Sequence, residues 1–329
     1  MRSMARTETP KAETLEDISG TVSQAAAKIK ANVEKVLVGK GDVIDLTLAA
    51  VLSGGHILVE DVPGIGKTTL ARCLAESLKC SFKRIQCTPD LMPSDITGVH
   101  FYNQKSSEFE FRPGPILAQV VLADEINRAT PRTQSAMLEA MAEGQVTVDD
   151  LTITLPSPFL LIATQNPIEL EGTFPLPEAQ LDRFLIRIRI GYPDESQEGE
   201  LLTRFNGANP LADLQPVADG PEILELQRLV QQVYVDPVLR TYMVQLVQAT
   251  RQHTDVELGA SPRATLGLYR CCQAIAAIHG RDFVGPDDVK ELAPYALCHR
   301  IILKSQARLR ERSTEDVIAD VMTKVEVPV

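Results

Sequence analysis

The stretch HILVEDVPGIGKTT, residues 56–69, decides the fold of this chain. Residues 57–59 are apolar and indicate a short buried strand, residues 63–66 contain one proline and two glycines, and helical spacing resumes from Thr68 to Ser77. A strand, a glycine-containing loop, a Lys–Thr pair and a helix, in this order, are typical of a phosphate-binding P-loop. The glycines let backbone N–H groups turn toward an anionic oxygen, and the helix directs its positive end at the same point.

Lys67 is predicted to contact the β- and γ-phosphates of a nucleotide, and the Thr68 hydroxyl is predicted to bind Mg²⁺. The other loop residues predicted to contact the nucleotide are Pro63, Gly64, Ile65, Gly66 and Thr69. One residue departs from the usual pattern, because Asp61 stands where the common P-loop has glycine. We therefore expect its carboxylate to point away from the phosphates. The alternative interpretation is an ordinary strand–turn–helix connection with an incidental lysine.

Composition limits the possible classes of protein. The chain has 329 residues, enough for two domains with hydrophobic cores, and 44% of its residues are hydrophobic. Its formal net charge of −11 argues against a broad surface for binding nucleic acid. The six cysteines form no C-x-x-C pair, which indicates reduced thiols and a cytoplasmic protein. No apolar run approaches the length of a membrane span.

The predicted organisation has three parts. Residues 1–17 are polar and unpatterned, so we expect them to be disordered. Residues 18–193 are expected to form the nucleotide-binding core, beginning with two helices over 18–36 and 42–52. Between these helices, residues 36–39, including Val38 and Gly39, are the best candidates for contact with a purine ring, and ordinary core packing is the alternative.

The third part, residues 194–329, is predicted to be a small all-helical lid domain. Tyr192 and Pro193 end the last strand pattern of the core, and no strand signal follows them. The predicted lid helices lie near residues 222–233, 237–252, 262–279, 286–299 and 314–324.

Two segments of the core are predicted to be hairpins. Residues 99–112 alternate in period two on either side of the polar turn NQKSS, and residues 145–155 have two aspartates at their turn. The first hairpin contains Phe101, Phe109 and Phe111, which are either half-buried sheet residues or a surface for a partner.

Residues 120–125, VVLADE, are an apolar strand that ends in two carboxylates. A carboxylate at the end of a parallel strand can hold Mg²⁺, and its neighbour can polarise an attacking water. We assign Asp124 to the metal and Glu125 to general-base catalysis. The alternative interpretation is a solvated strand terminus. The next helix is predicted to begin at Thr130–Pro131 and to end at Gly144.

Further polar residues follow other predicted elements. The strand FLLIAT, residues 159–164, leads to Asn166, which can orient the water or sense the γ-phosphate if this strand neighbours VVLADE. A short helix over 176–184 precedes a strand over 184–190. Arg263 stands in the first turn of a helix capped by Ser261, where the helix dipole opposes a cation and suggests an anionic partner. An Asn-Pro turn and a solvated arginine are the alternatives.

Together these features resemble an AAA+ ATPase and, more narrowly, the MoxR family. The resemblance covers roughly residues 22–305 and rests on the segments EDVPGIGKT, TPDLMPSDITG, ADEINRATPRTQSAMLEAM, ATQNP and PLPEAQLDRF. It implies a P-loop domain with a central parallel sheet, followed by the all-helical lid. Lys67 and Thr68 match the Walker A positions, and Asp124 and Glu125 match Walker B.

The resemblance also implies roles for three more polar residues and the two hairpins. Asn166 matches sensor 1. Arg183 matches the arginine finger, which acts at the nucleotide of a neighbouring subunit. Arg263 matches sensor 2, which contacts the nucleotide from the lid of its own chain. The hairpins over 99–112 and 145–155 match the helix-2 insert and the pre-sensor-1 insert of this clade.

The activity implied by the resemblance is ATP hydrolysis by a homo-oligomer, expected to be a hexamer, with ATP and Mg²⁺ as cofactors. In this family hydrolysis drives remodelling or maturation of protein complexes, including metal insertion. The implied partner has a von Willebrand factor A domain and is expected to be a separate chain.

Four alternatives stay open at this point. The first two are a slow nucleotide-gated assembly switch and another helix-2-insert protein such as a chelatase-type motor subunit. A DNA motor or sigma-factor activator is disfavoured by the acidic composition and by the lack of a GAFTGA-like loop. A small-molecule kinase would not need the set formed by Asn166, Arg183 and Arg263.

Overall fold

The structure is a computed structural model that describes residues 15–167, 172–207 and 209–328. Its helices are α1 Leu15–Glu34, α2 Gly41–Leu52, α3 Lys67–Ser77, α4 Pro93–Thr97, α5 Pro131–Glu143, α6 Glu178–Leu181, α7 Glu195–Arg204, α8 Gly220–Val230, α9 Pro237–Gln252, α10 Pro262–Ile278, α11 Pro286–Leu297, α12 Ser305–Leu309 and α13 Thr314–Lys324. Its strands are β1 Ile57–Glu60, β2 Phe82–Gln86, β3 Gly98–Asn103, β4 Glu108–Pro113, β5 Val120–Asp124, β6 Gln145–Val148, β7 Leu151–Thr154, β8 Leu160–Gln165, β9 Ile186–Ile188, β10 Val256–Leu258 and β11 Ile302–Leu303.

A central sheet contains five strands in the order β2–β5–β8–β1–β9. Every neighbouring pair in this sheet is parallel, so all five carboxyl ends lie at one edge. The register places Val59 of β1 opposite Thr164 of β8, and Ala123 of β5 opposite Ala163. The predicted fold class, an α/β P-loop domain with a central parallel sheet and a helical lid, is confirmed.

Hydrophobic clusters cover both faces of this sheet. Ile57 and Val59 point into the larger cluster, while Leu58 between them points into the smaller one, as the two-residue period of a strand requires. The larger cluster is continuous from α1, α2 and α3 into the lid, because α1 and α2 pack against α10. The three inner strands β1, β5 and β8 accordingly have nearly continuous apolar sequences, which is typical of a parallel sheet buried on both faces.

The two predicted hairpins are present as the antiparallel pairs β3–β4 and β6–β7. His100 Nδ1 lies 3.0 Å from Asp149 Oδ2, so a hydrogen bond joins the first hairpin to the turn of the second. Phe101 and Phe109 are 43% and 74% exposed, whereas Phe111 is partly buried and packs against His100. Of the three phenylalanines of this hairpin, Phe101 and Phe109 are therefore exposed and Phe111 is not.

The helix α5 begins and ends where the sequence predicts. The Thr130 side chain accepts a hydrogen bond from Thr133 N, Pro131 occupies the first turn, and Gly144 ends the helix with a φ of 64°. At the other predicted cap, Ser261 Oγ accepts hydrogen bonds from Arg263 N and Ala264 N at the start of α10.

The expectation that no strand follows residue 193 is wrong. Strands β10 and β11 form a small antiparallel pair in the lid. They have only three and two residues. Such lengths are too short for the alternation of apolar and polar residues by which a strand is recognised.

Two predicted boundaries also need correction. Helix α1 begins at Leu15, so residues 15–17 are helical rather than disordered, and residues 1–14 lie outside the described ranges. Strand β9 covers Ile186–Ile188 rather than residues 184–190. Phe184, the predicted first residue of the strand, instead forms hydrogen bonds with the lid. Its carbonyl accepts from Arg300 Nη2 at 2.5 Å and from His299 Nε2 at 3.0 Å.

Arg300 joins the lid to the short helix α6. Its side chain is 2% exposed, and its Nε lies 3.2 Å from Asp182 Oδ1. The same carboxylate oxygen accepts a hydrogen bond from Ser261 Oγ at 2.7 Å. Burial lowers the pKa of Arg300 to about 10, and the Asp182 charge opposes that shift. No helix within the described ranges has the length and apolarity needed to cross a bilayer.

The Asp182→Ala substitution should lower the free energy of unfolding by about 3 kcal/mol, because it leaves the Arg300 guanidinium buried without its counter-ion. Urea denaturation of the two proteins measures this difference. The matched control is Asp287→Ala, which removes a carboxylate that is 99% exposed and pairs only with Lys290 at 3.6 Å. The control should show no measurable change, and equal effects of the two substitutions would contradict the role of Asp182.

Candidate functional site

The loop between β1 and α3 has the backbone conformation of an anion cradle. Gly64 and Gly66 have φ values of 87° and 95°, a region that residues with a side chain rarely adopt. Helix α3 begins immediately afterwards at Lys67. The N–H groups at the start of this helix therefore point toward the space enclosed by the loop.

The Asp61 carboxylate points away from this loop, toward the end of the neighbouring strand β9. Its Oδ2 accepts hydrogen bonds from the backbone N–H groups of Ile190 and Gly191 at 2.8 and 2.7 Å, and its Oδ1 accepts one from Val62 N at 2.9 Å. The departure from the common glycine thus leaves the loop open to an anion. It also ties the loop to the segment that leads into α7.

A cavity of about 360 Å³ lies between this loop and the carboxyl ends of β2 and β5. It is lined by Pro63, Gly64, Gly66, Lys67, Thr68, Thr69, Arg84, Asp124 and Glu125. The structure therefore brings both halves of the predicted site together, the P-loop residues and the two carboxylates. Lys67 is 9% exposed, and its Nζ donates a hydrogen bond to the backbone carbonyl of Asp61 at 2.6 Å.

Asp124 is 8% exposed, and both of its carboxylate oxygens have partners. Oδ1 accepts a hydrogen bond from Thr164 Oγ1 at 2.6 Å, and Oδ2 accepts from Arg84 Nη2 and Nε at 2.6 and 3.0 Å. The oxygen of Asp124 and the hydroxyl of Thr68 line the same cavity. Carboxylate and hydroxyl oxygens are the donors that Mg²⁺ prefers, so these two residues fit that ion.

Glu125 has a strained backbone, with a φ of 57° and a ψ of 50° in the left-handed region. Its N–H donates a hydrogen bond to Thr164 Oγ1 at 2.8 Å, and its Oε2 accepts one from Gln86 Nε2 at 2.9 Å. Arg128 Nη1 lies 3.4 Å from the same oxygen. These contacts hold the carboxylate at the cavity wall, in the position predicted for a general base.

A second, more apolar cavity of about 160 Å³ adjoins the first and shares Gly64, Gly66 and Thr69 with it. Its other lining residues are Val36, Leu37, Val38, Lys40, Ile65, Pro193, Leu201 and Phe205. Three residues of the segment predicted to contact a purine, Val36, Leu37 and Val38, line this cavity together with Ile65 of the P-loop, and the purine contact itself stays a prediction. Gly39 lies at the edge of this region, where its carbonyl accepts a hydrogen bond from Gln197 Nε2 at 3.4 Å.

Asn166 follows β8 and is 5% exposed, but it does not line the larger cavity. Thr164, two residues earlier, makes the contacts that link β8 to Asp124 and Glu125. The role predicted for Asn166 stays a prediction.

The two predicted arginines lie away from the cavity of their own chain. Arg263 Nη1 is 3.6 Å from Asp182 Oδ2, and the contact predicted between Arg263 and the nucleotide of its own chain stays a prediction. Arg183 is partly buried rather than directed outward, because its Nη1 donates a hydrogen bond to the carbonyl of Leu138 in α5 at 2.5 Å. Both arginines flank Asp182, which places them in one region of the surface.

Sequence reasoning missed Arg84 and Gln86 on β2 and Thr164 on β8, which contact the two carboxylates. It also missed four residues that line the apolar cavity, namely Lys40, Pro193, Leu201 and Phe205. The sequence carries only a partial signal for Arg84 and Gln86, because strand alternation places both on one face of β2. The pairing of β2 with β5, which brings this face to Asp124, is visible only in the structure. The apolar residues of α7 carry no such signal, since a helix of this composition is equally typical of ordinary packing.

The cysteines do not contribute reactive groups to the site. Burial raises the pKa of Cys87 to about 12, and the charges of Asp124 and Glu125 add to the shift. Burial raises the pKa of the other five thiols as well. A thiol with a raised pKa is a poor nucleophile. Among the described residues, no group of three or more His, Cys, Asp or Glu side chains could hold a metal ion on its own.

Comparisons with known proteins agree with this geometry. Residues 56–186 match the model described as "ATPase family associated with various cellular activities (AAA)", and residues 248–321 match the AAA lid domain. YeaC of Bacillus subtilis, an uncharacterised protein, is 52% identical over 91% of this chain and 93% of its own. Chaperone MoxR1 of Mycobacterium tuberculosis is 43% identical over 90% of this chain and 80% of its own. The crystal structure of a candidate ATPase from Cytophaga hutchinsonii has a TM-score of 0.89 and 40% identity, over 95% of this chain and 98% of that one.

The Asp61→Ala substitution should raise the Kd for a fluorescent ATP analogue by about tenfold, because three backbone N–H groups lose a charged acceptor and the loop loses its anchor. Titration of the analogue against each protein measures the effect. The matched control is Asp61→Asn, whose amide oxygen can still accept from Ile190 N and Gly191 N. We expect a much smaller change for this control, and identical Kd values for the two variants would contradict the anchoring role.

Proposed function

Because the chain belongs to the MoxR family of AAA+ ATPases, we propose that it hydrolyses ATP as an oligomer and uses the cycle to remodel protein complexes. One observation carries the proposal. A single cavity contains the P-loop residues Lys67 and Thr68 together with the carboxylates of Asp124 and Glu125. We also propose that residues 18–193 form the ATPase core with two hairpin inserts and that residues 194–329 form its lid.

The first step is binding of the triphosphate. Lys67 would exchange its contact with the Asp61 carbonyl for the β- and γ-phosphate oxygens, and the N–H groups of the P-loop would surround the same phosphates. Thr68 and Asp124 would hold Mg²⁺, which neutralises charge on the phosphates when it is bound. The apolar cavity beside the loop would bind the purine between residues 36–38 and Phe205, the residue that follows α7.

The second step is attack by water. Glu125 would accept a proton from the water, and the hydrogen bond from Gln86 holds its carboxylate in place. Asn166 would orient the same water from the end of β8. The Glu125 backbone is fixed by Thr164, which also contacts Asp124, so the base and the metal ligand share one support.

The third requirement is a cation that faces the charge developing on the γ-phosphoryl group. Arg183 and Arg263 lie outside the cavity of their own chain and flank Asp182. This arrangement supports a role for both arginines at the nucleotide of a neighbouring subunit. Oligomerisation, which we propose to be hexameric, would then complete each site, and Arg183 would exchange the Leu138 carbonyl for a phosphate oxygen of that neighbour.

The exposed hairpin supports a function that acts on other proteins. Phe101, Tyr102 and Phe109 are 43%, 52% and 74% exposed on one hairpin, which is unusual for large apolar side chains. The name of Chaperone MoxR1 suggests protein clients for its relatives. We therefore propose a chaperone-like remodeller that works in the cytoplasm with a separate von Willebrand factor A domain protein. Metal or cofactor insertion is one maturation outcome that such a remodeller could drive.

A second candidate function is a slow, nucleotide-gated assembly switch. The contacts of Arg84 with Asp124 and of Gln86 with Glu125 favour this alternative, because each carboxylate must give up or share this partner before it can act on Mg²⁺ or water. A turnover that is very low and independent of assembly would support the switch.

The Glu125→Gln variant should bind ATP like the wild type and hydrolyse it 10²–10⁴-fold more slowly, on the order expected for a lost general base, because an amide cannot accept the proton. Steady-state release of phosphate and titration with the fluorescent analogue measure the two quantities. The matched control is Glu139→Gln on the exposed face of α5, which should keep wild-type turnover. Near-wild-type turnover of Glu125→Gln would remove this residue from the mechanism.

The same variant also tests the remodelling function. With ATP present, Glu125→Gln should retain client proteins that the wild type releases, since its cycle stops before hydrolysis. Equal recovery of bound proteins with and without ATP would contradict coupling of hydrolysis to remodelling.

A further inference from the structure

Arg84 lines the cavity beside the P-loop, and neither the sequence nor the proposed mechanism gives it a task. It lies on the edge strand β2, and its side chain is 46% exposed. Its Nη2 and Nε donate to Asp124 Oδ2, and its Nη2 also donates to Gln86 Oε1 at 2.6 Å. The guanidinium therefore contacts Asp124 Oδ2, whereas Thr164 contacts the other carboxylate oxygen, Oδ1.

We propose that Arg84 is an internal counter-ion that occupies the Mg²⁺ position of Asp124 and leaves it when Mg²⁺ arrives with the nucleotide. The inference rests on the proposed function, since it assumes that Asp124 is a metal ligand. Arg84 is a positioning residue in this account, because it acts through Asp124 rather than on the reacting atoms.

The charges in the cavity explain why such a residue is needed. The P-loop attracts a triphosphate, yet Asp124 and Glu125 place two negative groups against the same cavity. Like charges in contact with a phosphate oppose its binding. A metal ion removes this repulsion when it is present, and Arg84 removes it on the Asp124 side when the metal is absent.

Two opposite consequences follow from removal of the Arg84 charge. Binding of ATP without metal should weaken, because Asp124 then faces the triphosphate without a cation. Binding of Mg²⁺ should strengthen, because the ion no longer competes with a guanidinium for Asp124 Oδ2. An arginine that merely binds phosphate would weaken nucleotide binding with and without metal. An arginine that merely supports β2 would affect stability instead.

The experiment measures the Kd of a fluorescent ATP analogue in EDTA and in MgCl₂. The ratio of the Kd in EDTA to the Kd in MgCl₂ should rise on the order of fivefold in Arg84→Gln, the size expected for one partly exposed charge. The half-saturating Mg²⁺ concentration for the protein–analogue complex should fall in the same variant. Thermal unfolding without nucleotide checks that each variant is folded.

Two matched variants make the result specific. Lys83→Gln removes the same charge from the neighbouring residue of β2, whose side chain is exposed on the opposite face of the strand, and it should leave the ratio unchanged. Arg84→Lys keeps the charge and loses the paired donors, so its ratio should stay within about twofold of the wild type.

An unchanged ratio in Arg84→Gln would overturn the inference, and so would equal weakening in EDTA and in MgCl₂. Either result leaves the nucleotide site itself intact, because the wild type still binds the analogue. Failure of the wild type to bind the analogue in both buffers would instead overturn the proposed function, and this inference with it.

Discussion

The parallel register of β1, β5 and β8 is the constraint on which the site depends. Val59 lies opposite Thr164, and Ala123 lies opposite Ala163, so the three strands end at nearly the same level. The P-loop follows the first strand, the two carboxylates end the second, and Thr164 stands near the end of the third. A shift of one residue in β5 would turn Asp124 to the other face of the sheet and separate it from Thr68.

A site for a polyanion that contains carboxylates must also balance its charges before the ligand arrives. Each acidic residue here has a defined partner in the described part of the chain. The Asp61 carboxylate accepts backbone N–H groups at the end of β9, Asp124 pairs with Arg84, and Glu125 accepts from Gln86. These contacts place the acids without closing the cavity. The Asp61 contacts also connect the P-loop to the segment between β9 and α7.

The sequence predicts the elements whose residues carry a local signal. The P-loop, the VVLADE strand, the caps of α5 and α10 and both hairpins have short patterns with a direct structural cause. The short strands β10 and β11, the contribution of Phe205 and the contact between Arg84 and Asp124 depend on residues far apart in the chain. No single-sequence pattern reports these contacts, because they arise only when β2 aligns with β5 or when α7 folds over the loop. The contact of Arg183 could not be predicted for the same reason, because its hydrogen bond to Leu138 depends on the packing of α6 on α5.

We propose that a neighbouring subunit completes each nucleotide site. Oligomers assembled from two different variants are the sharpest test of this proposal. Lys67→Ala subunits cannot bind ATP but keep Arg183, whereas Arg183→Ala subunits bind ATP but lack the finger. An arginine finger contributes on the order of 10³–10⁵ to the rate, so each variant alone should be nearly inactive. On mixing, hydrolysis should return in part, at the interfaces that join an intact P-loop to an intact Arg183. No recovery in mixtures whose co-assembly is confirmed by mass would contradict the claim and leave Arg183 with its contact to Leu138 as a structural residue.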